Sequence, residues 1–279
     1  MTLIALCSLK GSPGVTTATL ALAARWPAKQ EPVVVECDPA GGDLLARFRL
    51  DMAPGLVSLA ASARRSREEG MELLRQHTQL LPGGLPVVAG PPGAEQSRAA
   101  LGELLHARAS VLQTAARRPR TVIVADCGRI EPNSPTLPLV RAADALVLLA
   151  RARDDALAHV AARIETVIRW SETACFLLVG DGYPTGEVAD TLGLRIMGRI
   201  PDDPKGAGAL CGRPARHSGP DRSALGRAMA KIAPRIALQA RRKPAVLESS
   251  MVPLSNQQTF RASSDHGPMS GPINGAPQK

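Results

Sequence analysis

The chain has 279 residues, a formal net charge of +9, 44% hydrophobic residues and only 2% aromatic residues. This length fits one large α/β domain with extra segments or two small domains, and composition permits a full core built from Ala, Val, Leu and Ile. The few aromatic side chains argue against a stacking binder of single-stranded nucleic acid, while the positive charge favours polyanions such as duplex DNA, anionic lipid or nucleotide phosphates.

Short apolar runs alternate with helical patterns along the chain. Seven runs are predicted to be strands: Leu3–Cys7, Pro32–Cys37, Leu85–Ala89, Thr121–Ala125, Ala145–Ala150, Cys175–Val179 and Arg195–Ile200. Most are continuously apolar, which is typical of strands covered on both faces. The helices predicted between them are Val15–Arg25, Leu56–Leu81 in pieces, Ala94–Arg117, Asp154–Trp170, Gly186–Leu192 and Ser223–Arg242. This alternation predicts an α/β fold with a doubly wound, mostly parallel β-sheet and helices on both faces.

The segment 244–279 differs from the rest of the chain. It is rich in Ser, Pro, Gly, Gln and Asn and has no apolar periodicity, so we predict a disordered tail after a folded domain at residues 1–243. No apolar run approaches the ~20 residues needed to span a bilayer, and no basic leader precedes an apolar stretch at the N-terminus. We therefore expect a cytoplasmic protein, with Cys7, Cys37 and Cys127 as buried free thiols.

A glycine-rich loop joins the first predicted strand to the first predicted helix. Its residues are Lys10, Gly11, Ser12, Pro13, Gly14, Val15, Thr16 and Thr17. A strand, a glycine-rich loop and a helix are the context that a phosphate-binding loop requires, because backbone N–H groups and the helix dipole then converge on an anion. Thr16 stands where the loop hydroxyl would meet Mg²⁺, and Thr17 is placed to reach a phosphate oxygen. An ordinary strand–helix turn without a nucleotide is the alternative interpretation.

This loop resembles the deviant Walker A motif, K-G-G-x-G-K-T-T, of the ParA/MinD family of P-loop ATPases. Lys10 matches the early signature lysine, which in that family reaches across a nucleotide-sandwich dimer to the partner's phosphates. The other matching positions are Gly11, Gly14, Thr16 and Thr17, while Ser12 replaces a glycine and Pro13 occupies the variable position. The resemblance extends over about residues 1–240, and the order of its motifs is its most specific feature.

Val15 is the main departure from the family motif, because it stands where a lysine contacts the β- and γ-phosphates. A lysine supplies a point charge against a polyphosphate, and valine supplies neither charge nor donor. Backbone amides, Lys10 and Mg²⁺ would still hold a nucleotide, but more weakly. Hydrolysis is in question, since charge stabilisation is the main device of phosphoryl transfer.

Two acidic strand ends also resemble the family. The segment Val33–Asp43 is similar to its D-x-D-P-x-G segment, in which Asp38 matches the second acid that orients the attacking water or supports the metal, and Glu36 replaces the first. Capping of the next helix by these strand-end carboxylates is the alternative. Asp126 follows the apolar strand Thr121–Ala125 as in a Walker B strand, and the resemblance implies that it holds Mg²⁺ through water at the carboxyl edge of the sheet.

The later motifs concern the base of a nucleotide. Residues 198–203 look like the family's G-x-I-P-x-D segment, where the backbone after the proline lines the adenine pocket. The resemblance therefore assigns Pro201 and Asp203 to nucleotide binding. It also assigns Asp181, which falls where family members place an adenine-contacting polar side chain.

The last predicted helix combines an apolar stripe with many basic residues. The stripe is Leu225, Met229, Ile232 and Ile236. This pattern fits a peripheral contact with membrane or DNA, or a helix that packs on the sheet with solvated basic residues around it. We favour packing, and we expect Pro234 to interrupt the helix.

The resemblance implies an ATP- and Mg²⁺-binding positioning switch for partition of DNA or placement of a cellular machine. Such a switch forms a nucleotide-dependent homodimer that meets DNA, an anionic membrane surface or a partner protein, at the nucleoid or inner membrane. Val15 motivates a second hypothesis, a catalytically inactive pseudo-ATPase that acts as a localisation or scaffold module of the pilus or secretion type. A third is an ATP-dependent synthetase of the biotin or cobalamin type, for which no further substrate-site pattern is present.

Overall fold

The computed structural model describes residues 2–27, 29–65, 70–106, 111–213 and 220–242. The predicted tail at 244–279 lies outside these residues. The strands are β1 Leu3–Ser8, β2 Glu31–Glu36, β3 Gln79–Leu80, β4 Pro86–Val88, β5 Thr121–Arg129, β6 Ala145–Arg151, β7 Cys175–Val179 and β8 Ile196–Ile200. They form one 8-stranded sheet in the order β3-β4-β2-β5-β1-β6-β7-β8. Adjacent strands of this sheet are parallel except for the β3–β4 pair, which is antiparallel.

Helices connect these strands. They are α1 Val15–Ala24, α2 Leu44–Phe48, α3 Leu56–Ala63, α4 Met71–Gln76, α5 Ala94–His106, α6 Val111–Ala116, α7 Leu137–Ala142, α8 Asp154–Ala161, α9 Ile164–Trp170, α10 Thr185–Leu192, α11 Pro204–Ala209 and α12 Ala224–Ala240. Among the described helices, none combines the length and the apolar composition that crossing a bilayer requires.

The sheet is buried on both faces. Along β1, Leu3, Ala5 and Cys7 belong to one apolar cluster, shared with α3, α5 and α6. The alternate residues Ile4 and Leu6 belong to the other, shared with α1 and α12. Because successive side chains of a strand point to opposite faces, this division confirms the predicted α/β class with a doubly wound, mostly parallel sheet.

The apolar stripe of α12 packs on the sheet. Leu225, Met229, Ile232 and Ile236 are all buried in the cluster that contains α1. The interpretation of this stripe as core packing is thus confirmed. The expected interruption at Pro234 is wrong, because α12 continues through that residue. Burial of a long apolar face outweighs the ~3 kcal/mol that an internal proline costs a helix.

Three helices and one strand have no counterpart among the predicted elements. They are α2, α7, α11 and the two-residue edge strand β3, and all are too short for a periodic apolar pattern to emerge. The predicted helical range Leu56–Leu81 is wrong at its end, because α4 ends at Gln76 and Gln79–Leu80 pair with β4. The seven predicted strands are all present, with β5 extended to Arg129. Cys7, Cys37 and Cys127 are buried free thiols as predicted, and burial raises the pKa of each.

Candidate functional site

The candidate site forms where the carboxyl ends of β2, β5 and β1 lie side by side. Asp126 in β5 is in register with Glu36 of β2 on one side and with Leu6 of β1 on the other. The glycine-rich loop leaves β1 at the same edge, so the parallel register alone brings the loop, Asp38 and Asp126 together. Ligands of open α/β sheets bind at such carboxyl edges.

The glycine-rich loop turns sharply before α1. Gly11 and Gly14 have positive φ angles of 65° and 88°, a left-handed conformation that glycine adopts without a steric penalty. Gly14 is also the N-cap of α1 and has no side chain to occupy the first amides of the helix. A compact glycine turn that leads into a helix N-terminus is an arrangement that favours anions.

Two clefts flank the loop. The larger, of about 660 Å³, is lined by Gly11, Ser12, Gly14, Val15 and Thr16 of the loop and by Asp38. The smaller, of about 270 Å³, is lined by Ser12, Pro13, Gly14 and Thr17 together with Pro201 and Asp203. Because Ser12 and Gly14 line both, the loop forms the ridge between them.

Asp126 carries an unsatisfied oxygen beneath the larger cleft. Its side chain is 1% exposed, and Oδ1 accepts a hydrogen bond from the Gly128 N–H at 3.1 Å, whereas Oδ2 is buried with no hydrogen-bond partner among the described residues. Burial raises the pKa of Asp126 to about 6, against the lowering effect of the nearby Thr16 hydroxyl. A carboxylate oxygen in need of a partner beside a hydroxyl is an oxygen donor set of the kind that Mg²⁺ takes, so these residues fit the metal that the motif implies.

Asp38 borders the larger cleft directly. It is half-buried, and its Oδ1 accepts a hydrogen bond from the Ala40 N–H at 2.8 Å. Burial raises its pKa. Its other oxygen lies against Gly128, where an added Cβ would stand only 2.0 Å away. The absence of a side chain at Gly128 is therefore what allows Asp38 and Asp126 to share this edge.

Glu36 has a structural role. The residue is 1% exposed, and its carboxylate accepts hydrogen bonds from the N–H groups of Asp43, Leu44 and Gly90, at 2.6, 3.1 and 2.9 Å. Since Leu44 is the first residue of α2, the strand-end carboxylate caps the next helix, in agreement with the alternative interpretation. Burial, and then the charge of Asp126, raise the pKa of Glu36 to about 7.

The residues assigned to the base are divided between two places. Both carboxylate oxygens of Asp203 accept backbone hydrogen bonds, from Gly206 and Leu225 at 2.9 Å each, so this side chain anchors α11 and α12. Asp181 is exposed and lines a third depression, shared with Arg25 and Arg199. Pro201 borders both this depression and the smaller cleft. The roles of Asp181, Pro201 and Asp203 in nucleotide binding stay predictions.

The loop ends differ in their exposure. Lys10 is exposed, and its role across a dimer stays a prediction. Val15 is 7% exposed and packs in the apolar cluster with α12, although its edge borders the larger cleft. Val15, which stands where the family motif has a lysine, is thus part of the hydrophobic core.

Arg47 is a cleft residue that the sequence analysis did not single out. It lies on the unpredicted helix α2, lines the larger cleft, and its Nη2 is 2.6 Å from Asp43 Oδ2. The spacing of Asp43 and Arg47, four residues apart, is typical of an ion pair on a helix. That spacing is the signal in the sequence that indicates α2 and its arginine.

Solved structures of ParA/MinD ATPases share this fold. They include a ParA family ATPase from Chlorobium tepidum, with 17% identity, a TM-score of 0.63, and 83% of this chain and 98% of that chain covered. The septum site-determining protein MinD from Pyrococcus horikoshii, complexed with Mg-ADP, has 18% identity and a TM-score of 0.64, and the match covers 84% of this chain and 95% of that chain. A variant of McdA from Cyanothece, complexed with ATP, has 17% identity and a TM-score of 0.59, and the match covers 88% of this chain and 98% of that chain.

At these identities the likeness establishes the fold, which is the P-loop NTPase fold of ParA/MinD ATPases. The resemblance to the ParA/MinD family, inferred from the loop, is thus confirmed for the fold. No protein-family model and no curated protein sequence matches the chain.

Glu36→Gln should lower the free energy of unfolding by about 1–3 kcal/mol, because an amide offers one acceptor oxygen to three backbone donors and leaves a buried N–H unpaired. The matched control is Glu31→Gln on the same strand, whose ion pair with Arg120 is 65% exposed on the glutamate side and contributes at most about 1 kcal/mol. Chemical denaturation measures both. Equal stability of the two variants would contradict the structural role of Glu36.

Gly128→Ala should destabilise the fold and weaken the binding of any ligand in the larger cleft. The new Cβ would collide with Asp38, and Gly128 has a φ of 58°, which is unfavourable for alanine. Gly186→Ala is the control: it lies within α10 and meets open space, so it should be neutral or stabilising by up to ~1 kcal/mol. Denaturation curves and ligand titrations of both variants test this. A Gly128→Ala protein with unchanged stability would show that Asp38 is not packed against this backbone.

Proposed function

We propose that the chain is a ParA/MinD-like switch that binds ATP with Mg²⁺ and positions DNA or a cellular machine. The observation that carries this proposal is the buried Oδ2 of Asp126, which has no partner in the described part of the chain and lies beside Thr16 under a glycine-rich loop with a cleft on each side. Mg-ADP in the Pyrococcus MinD and ATP in the Cyanothece McdA support the choice of ligand.

In this proposal the two clefts divide the nucleotide between them. The larger cleft, which the loop amides and the acidic strand ends border, takes the phosphates, while the smaller cleft beside Pro201 takes the base. Thr16 and Asp126 hold Mg²⁺, which neutralises phosphate charge when bound. Asp38 orients the attacking water from the cleft wall. Lys10, which is exposed, acts on the phosphates of a second copy of the chain, so the active form is a nucleotide-dependent homodimer.

Val15 favours the second candidate, a pseudo-ATPase that retains binding without turnover. Its side chain packs with the core and supplies no charge to the cleft. Loss of one positive group beside a polyphosphate weakens the stabilisation of charge in the transition state more than it weakens binding by the loop amides. Both candidates therefore predict ATP binding, and they differ in hydrolysis.

The partner surface that we propose is a basic depression of about 720 Å³ beside α12. Arg25, Arg199, Arg227, Lys231 and Arg235 line it together with Asp181. The apolar stripe of α12 is buried, and Leu238 is the large apolar residue that this helix exposes. A cationic surface without an apolar stripe suits the phosphate backbone of duplex DNA better than insertion into a bilayer.

Titration with a fluorescent ATP analogue should show Mg²⁺-dependent binding that Lys29→Ala, a control at an exposed lysine outside both clefts, leaves unchanged. If the chain is an active switch, it hydrolyses ATP and Lys10→Ala abolishes the turnover. If it is a pseudo-ATPase, it binds without turnover and Val15→Lys gains activity. Absence of Mg²⁺-dependent binding by a folded wild-type protein would reject both.

Arg227→Glu with Lys231→Glu should weaken binding to duplex DNA and flatten its dependence on salt, by a slope of about 0.9 for each phosphate that the protein no longer neutralises. The control pair, Arg163→Glu with Arg169→Glu, changes the same charge at the ends of α9, which packs on the other face of the sheet. Salt-dependent titrations of DNA and of anionic vesicles compare the variants. If the protein binds vesicles but not DNA, the proposed partner of this surface is a membrane and not DNA.

A further inference from the structure

The larger cleft contains three arginines although its loop lacks the usual lysine. Arg47, Arg98 and Arg129 all line it. A polyphosphate in this cleft is stabilised by positive groups close to its terminal oxygens, because an ionised donor adds a Coulomb attraction to its hydrogen bond with an anionic oxygen. The contacts of each arginine decide which of them is available for that purpose.

Two of the three are exposed, and each has a local contact. Arg129 Nη2 is 2.7 Å from Glu131 Oε1, and its side chain is 55% exposed. The Nε–H of Arg98 donates to the carbonyl oxygen of Pro39 at 3.4 Å, from an exposed position on α5. Exposed, locally paired arginines contribute little electrostatic free energy to a ligand, since water screens them.

Arg47 differs from both. Its side chain is only 23% exposed, and Nη2 is paired with Asp43 at 2.6 Å. Nη1 is buried and has no hydrogen-bond partner within the described ranges of the chain. A buried guanidinium nitrogen without a partner is unfavourable until an acceptor arrives, and the guanidinium fork has a second edge to offer while the first keeps its carboxylate.

The backbone holds Arg47 firmly at this place. The helix that carries it begins at Leu44, whose N–H is bound by the buried Glu36, and the N–H of Arg47 donates to the Asp43 carbonyl at 3.0 Å. Gly212 packs so closely on the other side that an added Cβ would lie 2.2 Å from the Arg47 carbonyl oxygen. The backbone at Arg47 is therefore already fixed before a ligand binds, so no ordering of this segment is needed.

The charge of Arg47 also reaches the metal side of the cleft. It lowers the pKa of Asp126 in part, although burial keeps that pKa raised overall. The guanidinium therefore lies within electrostatic range of the same carboxyl group whose pKa the nearby Thr16 hydroxyl lowers. In the proposed function this region, between the loop and β5, is where the terminal phosphates of the nucleotide would lie.

We propose that Arg47 binds the terminal phosphates of the nucleotide and supplies, from α2, the positive charge that Val15 does not supply from the loop. This inference rests on the proposed function, because it concerns the same cleft and the same ligand. Arg47 keeps its contact with Asp43 through Nη2 and turns Nη1 to a phosphate oxygen.

The test compares Arg47→Gln and Arg47→Lys with Arg49→Gln, which removes the same charge two residues away at an exposed position. Dissociation constants are measured for ATP, ADP and AMP with Mg²⁺, together with thermal stability. Arg47→Gln should weaken ATP binding about 10-fold or more, ADP less and AMP hardly at all, because AMP lacks the terminal phosphates. Arg47→Lys should retain part of the affinity through its point charge, and Arg49→Gln should equal wild type.

The inference is overturned if wild type binds ATP and Arg47→Gln binds it as tightly as Arg49→Gln does. It is equally overturned if Arg47→Gln loses ATP and AMP in the same proportion, since that pattern indicates a general disturbance of the cleft. A wild-type protein that binds no nucleotide at all would instead reject the proposed function, so the two failures are distinguishable.

Discussion

Three hydrogen bonds to one buried carboxylate hold the candidate site together. Glu36, at the end of β2, receives the N–H groups of Asp43 and Leu44 from the turn into α2 and that of Gly90 from the segment after β4. The β2–α2 turn contains Asp38, and α2 contains Arg47, so both cleft residues depend on this anchor. A buried carboxylate that satisfies three amides is costly to remove, because each amide would lose its partner away from water.

The same edge of the sheet concentrates negative charge. Glu36, Asp38 and Asp126 all have raised pKa values, in each case first because of burial. Ionising buried carboxyl groups so close together costs free energy, and a divalent cation bound between them would offset that cost. Perturbed carboxyl groups beside a cleft are typical of functional sites. The acids and the glycine-rich loop are two independent properties, and both support the ligand proposed above, a metal–polyphosphate complex.

The sequence predicted the central part of the fold better than its connections. The seven predicted strands and α1 carry apolar runs or adjoin glycine-rich turns, and these signals can be read from the sequence without tertiary information. The helices α2, α7 and α11 have no more than 6 residues each, so their stability comes from contacts that no local pattern records. Pro234 shows the opposite case, in which tertiary packing overrides a strong local signal. The loop and Asp126 stood out as motifs, whereas Arg47 lies on α2, for which the sequence offers the four-residue spacing of Asp43 and Arg47 but no periodic apolar pattern.

In the proposed arrangement, the positive group that binds phosphate comes from α2 rather than from the loop, and its position then depends on different contacts. A loop lysine is placed by the P-loop itself, so phosphate binding and charge come from one segment. Arg47 is placed by Glu36 at the start of α2 and by the close approach of Gly212 at its carbonyl. Its charge is available only when β2, β4 and the segment after α11 are correctly packed. In the proposed arrangement, the affinity of the cleft for phosphate depends on the tertiary structure around α2, whereas the loop contributes its backbone amides and Val15 packs in the core.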